Sequence, residues 1–307
     1  MSNTVVNLFG RHPFRHRTGR AGFTLLELLV VIGVIALLAA ILFGVLSKAR
    51  ESGRRVQCLN NLKTIAQAII MYAEANDNSL PANANFKTNQ DNDWVWWQST
   101  GTPFRISQLS TKGIGKYIDG LGDYSPKGLS TLRCPSDARL ANAGFLDFAP
   151  DQTSPAMAYP SGYPFSYVMN GLMCSGAQPD TTGISPTPVA VRTMTAIKDA
   201  ANKILLYEED RRTIDDGYGL LIPNGSKTNI LSIRHDGFDE GTGMSNPQDP
   251  INVTASAGAP PTLNILAHGE RVGNVAFCDG HAAAIDRASA HSKDHWAPDA
   301  TLYPTFP

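Results

Sequence analysis

The sequence predicts an α+β protein: one long N-terminal helix whose second half lies on a C-terminal antiparallel sheet, with long loops between them. Three observations carry this. An apolar run over 23–46 holds a single ionisable residue, Glu27. Apolar residues then recur at helical spacing as far as Ala73. Clear strand patterns appear only after Lys203, and the last two flank the turn signal Asp279-Gly280.

The helix comes first. At ~1.5 Å per residue the 23–46 run is long enough to span a ~30 Å hydrocarbon core. A lone carboxylate in such a segment costs about 2.5–3.5 kcal/mol, so Glu27 needs a partner. From Ser47 the character changes. Lys48, Arg50, Glu51, Arg54 and Arg55 are polar, and Val56, Leu59, Leu62, Ile65, Ala66, Ile69 and Ile70 then form one stripe. One helix is expected over 23–76, apolar to residue 46 and amphipathic over 47–76. It should stop at Asn76-Asp77-Asn78-Ser79, and Pro81 forbids continuation. Gly33, Gly44 and Gly53 are its weak points or close-approach points.

Residues 1–22 hold Arg11, Arg15, Arg17 and Arg20 and no acid. Behind them stands Gly22-Phe23-Thr24-Leu25-Leu26-Glu27. This stretch resembles the type IV prepilin processing signal. The resemblance implies cleavage between Gly22 and Phe23 by a prepilin peptidase on the cytoplasmic side, and N-methylation of Phe23. It also implies a structural subunit that assembles with other pilin-like subunits into a filament of a type II secretion or type IV pilus-like system. Cleavage would free a charged amine on Phe23, and that amine on one subunit can pair with Glu27 of a neighbour, relieving two buried charges together. The plainer alternative is that Glu27 near the helix start answers the helix dipole at headgroup level.

Further elements extend the resemblance. Cys58-Leu59-Asn60-Asn61-Leu62-Lys63 resembles the post-anchor helix of a pseudopilin-like group abundant in planctomycetes and verrucomicrobia. That group tends to carry C-P-S-D, S-Y-x-x-N-G and K-x-I-L-L-x-E-E elements and a C-terminal His, nine residues, Asp-Gly. Here they stand as Cys134-Pro135-Ser136-Asp137, as Ser166-Tyr167-Val168-Met169-Asn170-Gly171, and as Lys203 to Glu209. The last element departs: His268 precedes Asp279-Gly280 by ten residues, and Arg234-His235 offers a second start.

Between the helix and Lys203 the chain is rich in Asn, Asp, Pro, Gly and Ser, which predicts long loops within an extracytoplasmic domain over 77–307. Trp94, Trp96 and Trp97 in this part fit a local core better than an exposed stacking surface. Strands are expected over 204–207, 219–222 and 230–233, and a hairpin over 273–277 and 281–285. The tail from His291 has too little pattern to assign.

Composition bounds the function. Lys and Arg total 26 against 27 acids, and loss of the leader removes only bases, so no nucleic-acid partner is expected. The leader arginines keep that end cytoplasmic, giving a single-pass protein of the cytoplasmic membrane with its domain outside. A secretory signal would have an apolar region of only ~7–15 residues, although Ala39-Ala40 faintly suggests its cleavage site. Cys58, Cys134, Cys174 and Cys278 permit two disulfides in an exported domain, or free buried thiols. His235, His268, His281, His291 and His295 share the last third with many acids, but there is no C-x-x-C, H-E-x-x-H or EF-hand pattern, so a catalytic zinc is not expected. A structural calcium is better supplied, by oxygens over 210–216 and 236–240. No P-loop, dinucleotide fingerprint or G-x-S-x-G occurs, and no enzyme is expected. The rival reading is a membrane-anchored enzyme or glycan-binding domain exported by a pilin-type signal.

Overall fold

A computed structural model describes residues 24–82, 84, 91–95, 112–118, 130–137, 165–174, 193–210, 217–221, 230–236, 252–253, 262–263 and 270–299. The chain divides into two compact units, Met1–Lys48 and Ala49–Pro307. Helix α1 runs Leu25–Ala75, as the apolar run and the stripe require. Its first part leaves its large apolar side chains bare, from Leu25 at 81% exposed to Leu46 at 44%. Within the second unit the helix buries Cys58, Leu62, Ile65, Ile69 and Ala73, at steps of four, three, four and four residues. Val56 was expected on this stripe but falls off the face and is 55% exposed. The helix ends where Asp77 (φ 54°) and Asn78 (φ 59°) turn left-handed, a conformation their short polar side chains tolerate.

The main sheet has five strands. They are β1 Tyr167–Asn170, β2 Ile204–Glu208, β3 Tyr218–Gly219, β6 Val272–Phe277 and β7 Ala282–Asp286, in the order β3-β1-β2-β6-β7. Strands β4 Asn252–Val253 and β5 Thr262–Leu263 form a separate antiparallel pair. The pairings β1·β2, β2·β6 and β6·β7 are antiparallel; the last is the expected hairpin, and β1 stands in the part read as long loops. β3 pairs parallel to β1, which makes the sheet mixed. The chain leaves β2 and returns on the far side of β1, so β3 runs with β1 and against β2.

The C-terminal hairpin forms where Asp279-Gly280 placed it. Gly280 takes φ +90°, and Phe277 donates its N–H to the His281 carbonyl to close the turn. Two expected strands are shorter than their patterns. Over 219–222 only Tyr218–Gly219 pairs; Leu220 and Leu221 are buried outside the ladder, and residue 222 lies outside the described residues. Over 230–233 a single bridge forms, Leu231 to Glu209. The bonds flanking that bridge form, Ser232 N to Glu208 O and Asp210 N to Ile230 O, both at 2.8 Å, while on the outer edge Arg287 Nε donates to Leu231 O at 2.9 Å and Leu231 N donates to His291 Nε2 at 3.4 Å. Helix α2 Arg287–Ala290 follows β7, and the unassigned tail from His291 forms α3 Lys293–Trp296, with Trp296 fully buried.

The core of the second unit joins the helix stripe to Tyr167, Leu205, Tyr207 and Val275 on the sheet, with Trp94 beside them. Trp94 is fully buried and donates Nε1–H to Gly217 O at 2.6 Å, so it belongs to the core; Trp96 and Trp97 lie outside the described residues.

Candidate functional site

The processing residues Gly22 and Phe23 lie outside the described residues. The helix that follows them opens on a reciprocal cap. Thr24 N–H donates to Glu27 Oε2 at 2.9 Å, and Glu27 N–H donates to Thr24 Oγ1 at 3.2 Å. This is a capping box: each side chain satisfies a backbone donor that the first helical turn leaves over. Glu27 therefore has local work at the helix start, whatever else it meets.

The dispersed motifs of the second unit converge on one buried ionic cluster. Strand β2 delivers Glu208 with a fully buried side chain. Glu208 Oε1 lies 3.1 Å from Arg234, and its Oε2 lies 3.3 Å from His235 Nε2. Arg234 also reaches Asp137 at 3.3 Å and donates to the Glu209 carbonyl at 2.7 Å. Ser166 donates its hydroxyl to Asp137 at 2.8 Å and accepts from the Cys134 N–H at 3.0 Å. Asn274 on β6 donates to Glu208 Oε2 at 3.1 Å. So C-P-S-D supplies Cys134 and Asp137, S-Y-x-x-N-G supplies Ser166, the β2 element supplies Glu208, and Arg-His supplies both its members.

The helix closes the cluster from its own side. Glu51 Oε1 lies 2.7 Å from His235 Nδ1 and accepts from the Ser136 hydroxyl at 2.6 Å. Asn61 donates to the carbonyls of Ser130 and Arg133, both at 3.0 Å, and to the Tyr167 hydroxyl at 3.3 Å. Cys58 is bridged to Cys134, with Cα atoms 5.3 Å apart. Burial opposes protonation of His235, but the hydrogen bonds and charges of Glu208 and Glu51 outweigh it and raise its pKa above the usual histidine value. Burial pulls Glu51 the other way, yet the Ser136 and His235 contacts hold its carboxyl below the ordinary value. The result is an imidazole held between two carboxylates that favour its protonated form, joining helix, loop and sheet.

The remaining expected site residues separate. His235 stands in the cluster, and His268 lies outside the described residues. Asp279 stands apart from the cluster; its Oδ1 accepts from the His281 N–H at 3.0 Å and lies 2.6 Å from His281 Nδ1 on the exposed hairpin turn. Burial opposes ionisation of Asp279, and the His281 contacts prevail, lowering its pKa. Cys174 and Cys278 are free and buried, so the four cysteines divide into one bridge and two thiols. Burial pushes the Cys278 thiol far up, which leaves it unreactive. Of the oxygens considered for calcium, Asp210 is fully buried and lies 3.5 Å from the Arg287 guanidinium; 211–216 and 237–240 lie outside the described residues.

Sequence reasoning missed Glu51, Asp137, Glu208, Arg234 and Asn274 as one site. The signal available was the motif set itself: polar residues inside apolar strand patterns, such as Glu208 after Tyr207, are expensive to bury without partners.

Comparison with family models matches residues 17–43 to the prokaryotic N-terminal methylation motif. It matches residues 47–185 to a family described as Protein of unknown function (DUF1559). Glu51, Cys58, Cys134, Asp137 and Ser166 fall within the second match, and Glu208, Arg234 and His235 lie beyond it. No curated protein and no solved structure matches the chain.

Proposed function

Because this chain joins the prepilin-type N-terminal methylation motif to a DUF1559 domain, a combination typical of pilin-like proteins, we propose that it is a structural subunit of a filament and not an enzyme. Prepilin peptidase removes 1–22, Phe23 is methylated, and the apolar half of α1 anchors the subunit in the cytoplasmic membrane with its domain outside. The same helix then packs with those of other pilin-like subunits in a type II secretion or type IV pilus-like system. The observation that carries the proposal is the bare apolar surface directly behind the motif: none of the apolar window of α1 is buried. Lipid can cover such a surface before assembly and neighbouring helices after it.

Glu27 supplies the test, because its two roles respond differently to one substitution. Glutamine serves as well as glutamate at the third position of a capping box. Glu27→Gln keeps the cap and removes the charge. We expect this variant to be inserted, cleaved and folded, yet absent from sheared or cross-linked filaments, since breaking a buried pair costs about 3–5 kcal/mol per subunit. Filaments formed by Glu27→Gln at the wild-type level would mean that Glu27 only caps the helix.

A further inference from the structure

We propose that the residues around the Cys58–Cys134 bridge form a second, reduced state that binds one zinc(II) ion through Cys58, Cys134, Glu208 and His235. The ligand atoms of these four side chains all lie within 4.8 Å of one another. A disulfide has no need of a histidine and a carboxylate at its flank. Here His235 Nε2 stands 3.2 Å from Cys134 Sγ and 3.3 Å from Glu208 Oε2. Tetrahedral zinc with ordinary bond lengths separates its N, O and S ligands by about 3.4–3.8 Å, so the nitrogen, oxygen and sulfur already sit near the edges of that tetrahedron. The two sulfurs, bonded to each other here, must move apart.

The surrounding shell has the form that metal sites use. A zinc-bound histidine gives its other ring N–H to a carboxylate, which fixes its tautomer and orientation. His235 meets Glu51 through Nδ1 at 2.7 Å, leaving Nε2 to face the sulfur. A ligating carboxylate is in turn held by donors, and Glu208 is held by Arg234 and Asn274. Ser136 N–H points to Cys134 Sγ at 3.4 Å, where it can steady a thiolate. Two thiolates and one carboxylate exceed the charge of zinc by one, and Arg234 answers the excess.

Opening the bridge needs two electrons, and a phosphine reductant supplies them. Water provides the two thiol protons and the oxygen that leaves as phosphine oxide. Zinc then displaces both protons from the thiols and the proton from Nε2, while Nδ1–H stays on Glu51. Bridge and metal are thus alternative fasteners between α1 and the domain, selected by redox state.

The test is a titration of the phosphine-reduced, detergent-solubilised full chain with cobalt(II), followed by zinc(II). We expect one cobalt per chain with a thiolate-to-cobalt charge-transfer band, and loss of that band as one zinc replaces it. The oxidised chain and Cys58→Ser/Cys134→Ser should show no such band. Glu51→Gln, which keeps all four ligands, should weaken binding about 10–100-fold. No thiolate band in the reduced wild type, or binding equal in the oxidised chain, overturns the proposal. Unchanged affinity in Glu51→Gln removes His235 from the ligand set and overturns it equally.

Discussion

Glu208→Ala is expected to destabilise the domain by about 3–5 kcal/mol, the cost of breaking a buried ion pair from one side. The substitution takes away three interactions at once: the Arg234 pair at 3.1 Å, the His235 contact at 3.3 Å, and the Asn274 hydrogen bond at 3.1 Å. Arg234 keeps Asp137 and the Glu209 carbonyl. His235 keeps Glu51. Both keep their burial, so the desolvation cost remains while half its compensation is gone. Thermal unfolding of the detergent-solubilised chain should fall by roughly 10 °C, taking about 2–4 °C per kcal/mol for a domain of this size. Glu208→Gln preserves shape and one acceptor and should lose less. A shift below about 2 °C in Glu208→Ala would mean that the cluster does not hold the domain together.

His291 should make the domain acid-labile. It is 1% exposed beside Leu231, one helical turn from Arg287. Burial first, and the Arg287 charge second, lower its pKa to about 3. An unfolded histidine titrates near ~6.5. The sign follows: above ~6.5 both states are neutral and the stability is intact, and below it the unfolded state takes up a proton that the folded state refuses. Stability should therefore drain away as pH falls from ~6.5 towards the folded value, by on the order of 5 kcal/mol in all. His235 acts in the opposite sense: its raised pKa gives a contribution that is full below ~6.5 and is lost as pH rises through the folded value. Comparison of wild type with His291→Gln isolates the first effect. The variant should be less stable at pH 7, because the Leu231 N–H loses its ring acceptor, but flatter between pH ~6.5 and ~4.5. Parallel profiles for the two proteins would show that His291 is not the acid switch.

The parts legible in the sequence were those with short-range causes. The apolar run, the apolar spacing from Val56 and the stop at Asn76 to Ser79 marked α1, and Asp279-Gly280 marked the β6·β7 hairpin. Ile204 to Tyr207 marked β2. What failed had long-range causes. The 230–233 run pairs with the end of β2 through one bridge, but on its outer edge Arg287 and His291, more than fifty residues later, take the Leu231 backbone that a further strand would use. Val56 has helical spacing and still faces away, because the face that meets the domain carries Glu51, Cys58 and Leu62, and two residues along a helix point to opposite sides. The site shows the same division. Each motif was visible as a string, and the pairing of Cys58 with Cys134 was one of several that the cysteine count allowed. Their convergence on Glu208, and the part played by Glu51 across 184 residues of sequence, depends on how the sheet and the loop at 130–137 pack on the helix. Spacing along the chain carries no trace of that.

The central claim is that this chain is processed as a pilin-like subunit, and the mature N-terminus tests it most directly. Intact-mass and N-terminal peptide mass spectrometry of the protein purified from its native membrane should find a chain that starts at Phe23 and carries one added methyl group on its amine. Gly22→Ala should shift the population towards the uncut form. A native protein that still begins at Met1, or that begins after Ala40 as an ordinary secretory cleavage would leave it, would contradict the account.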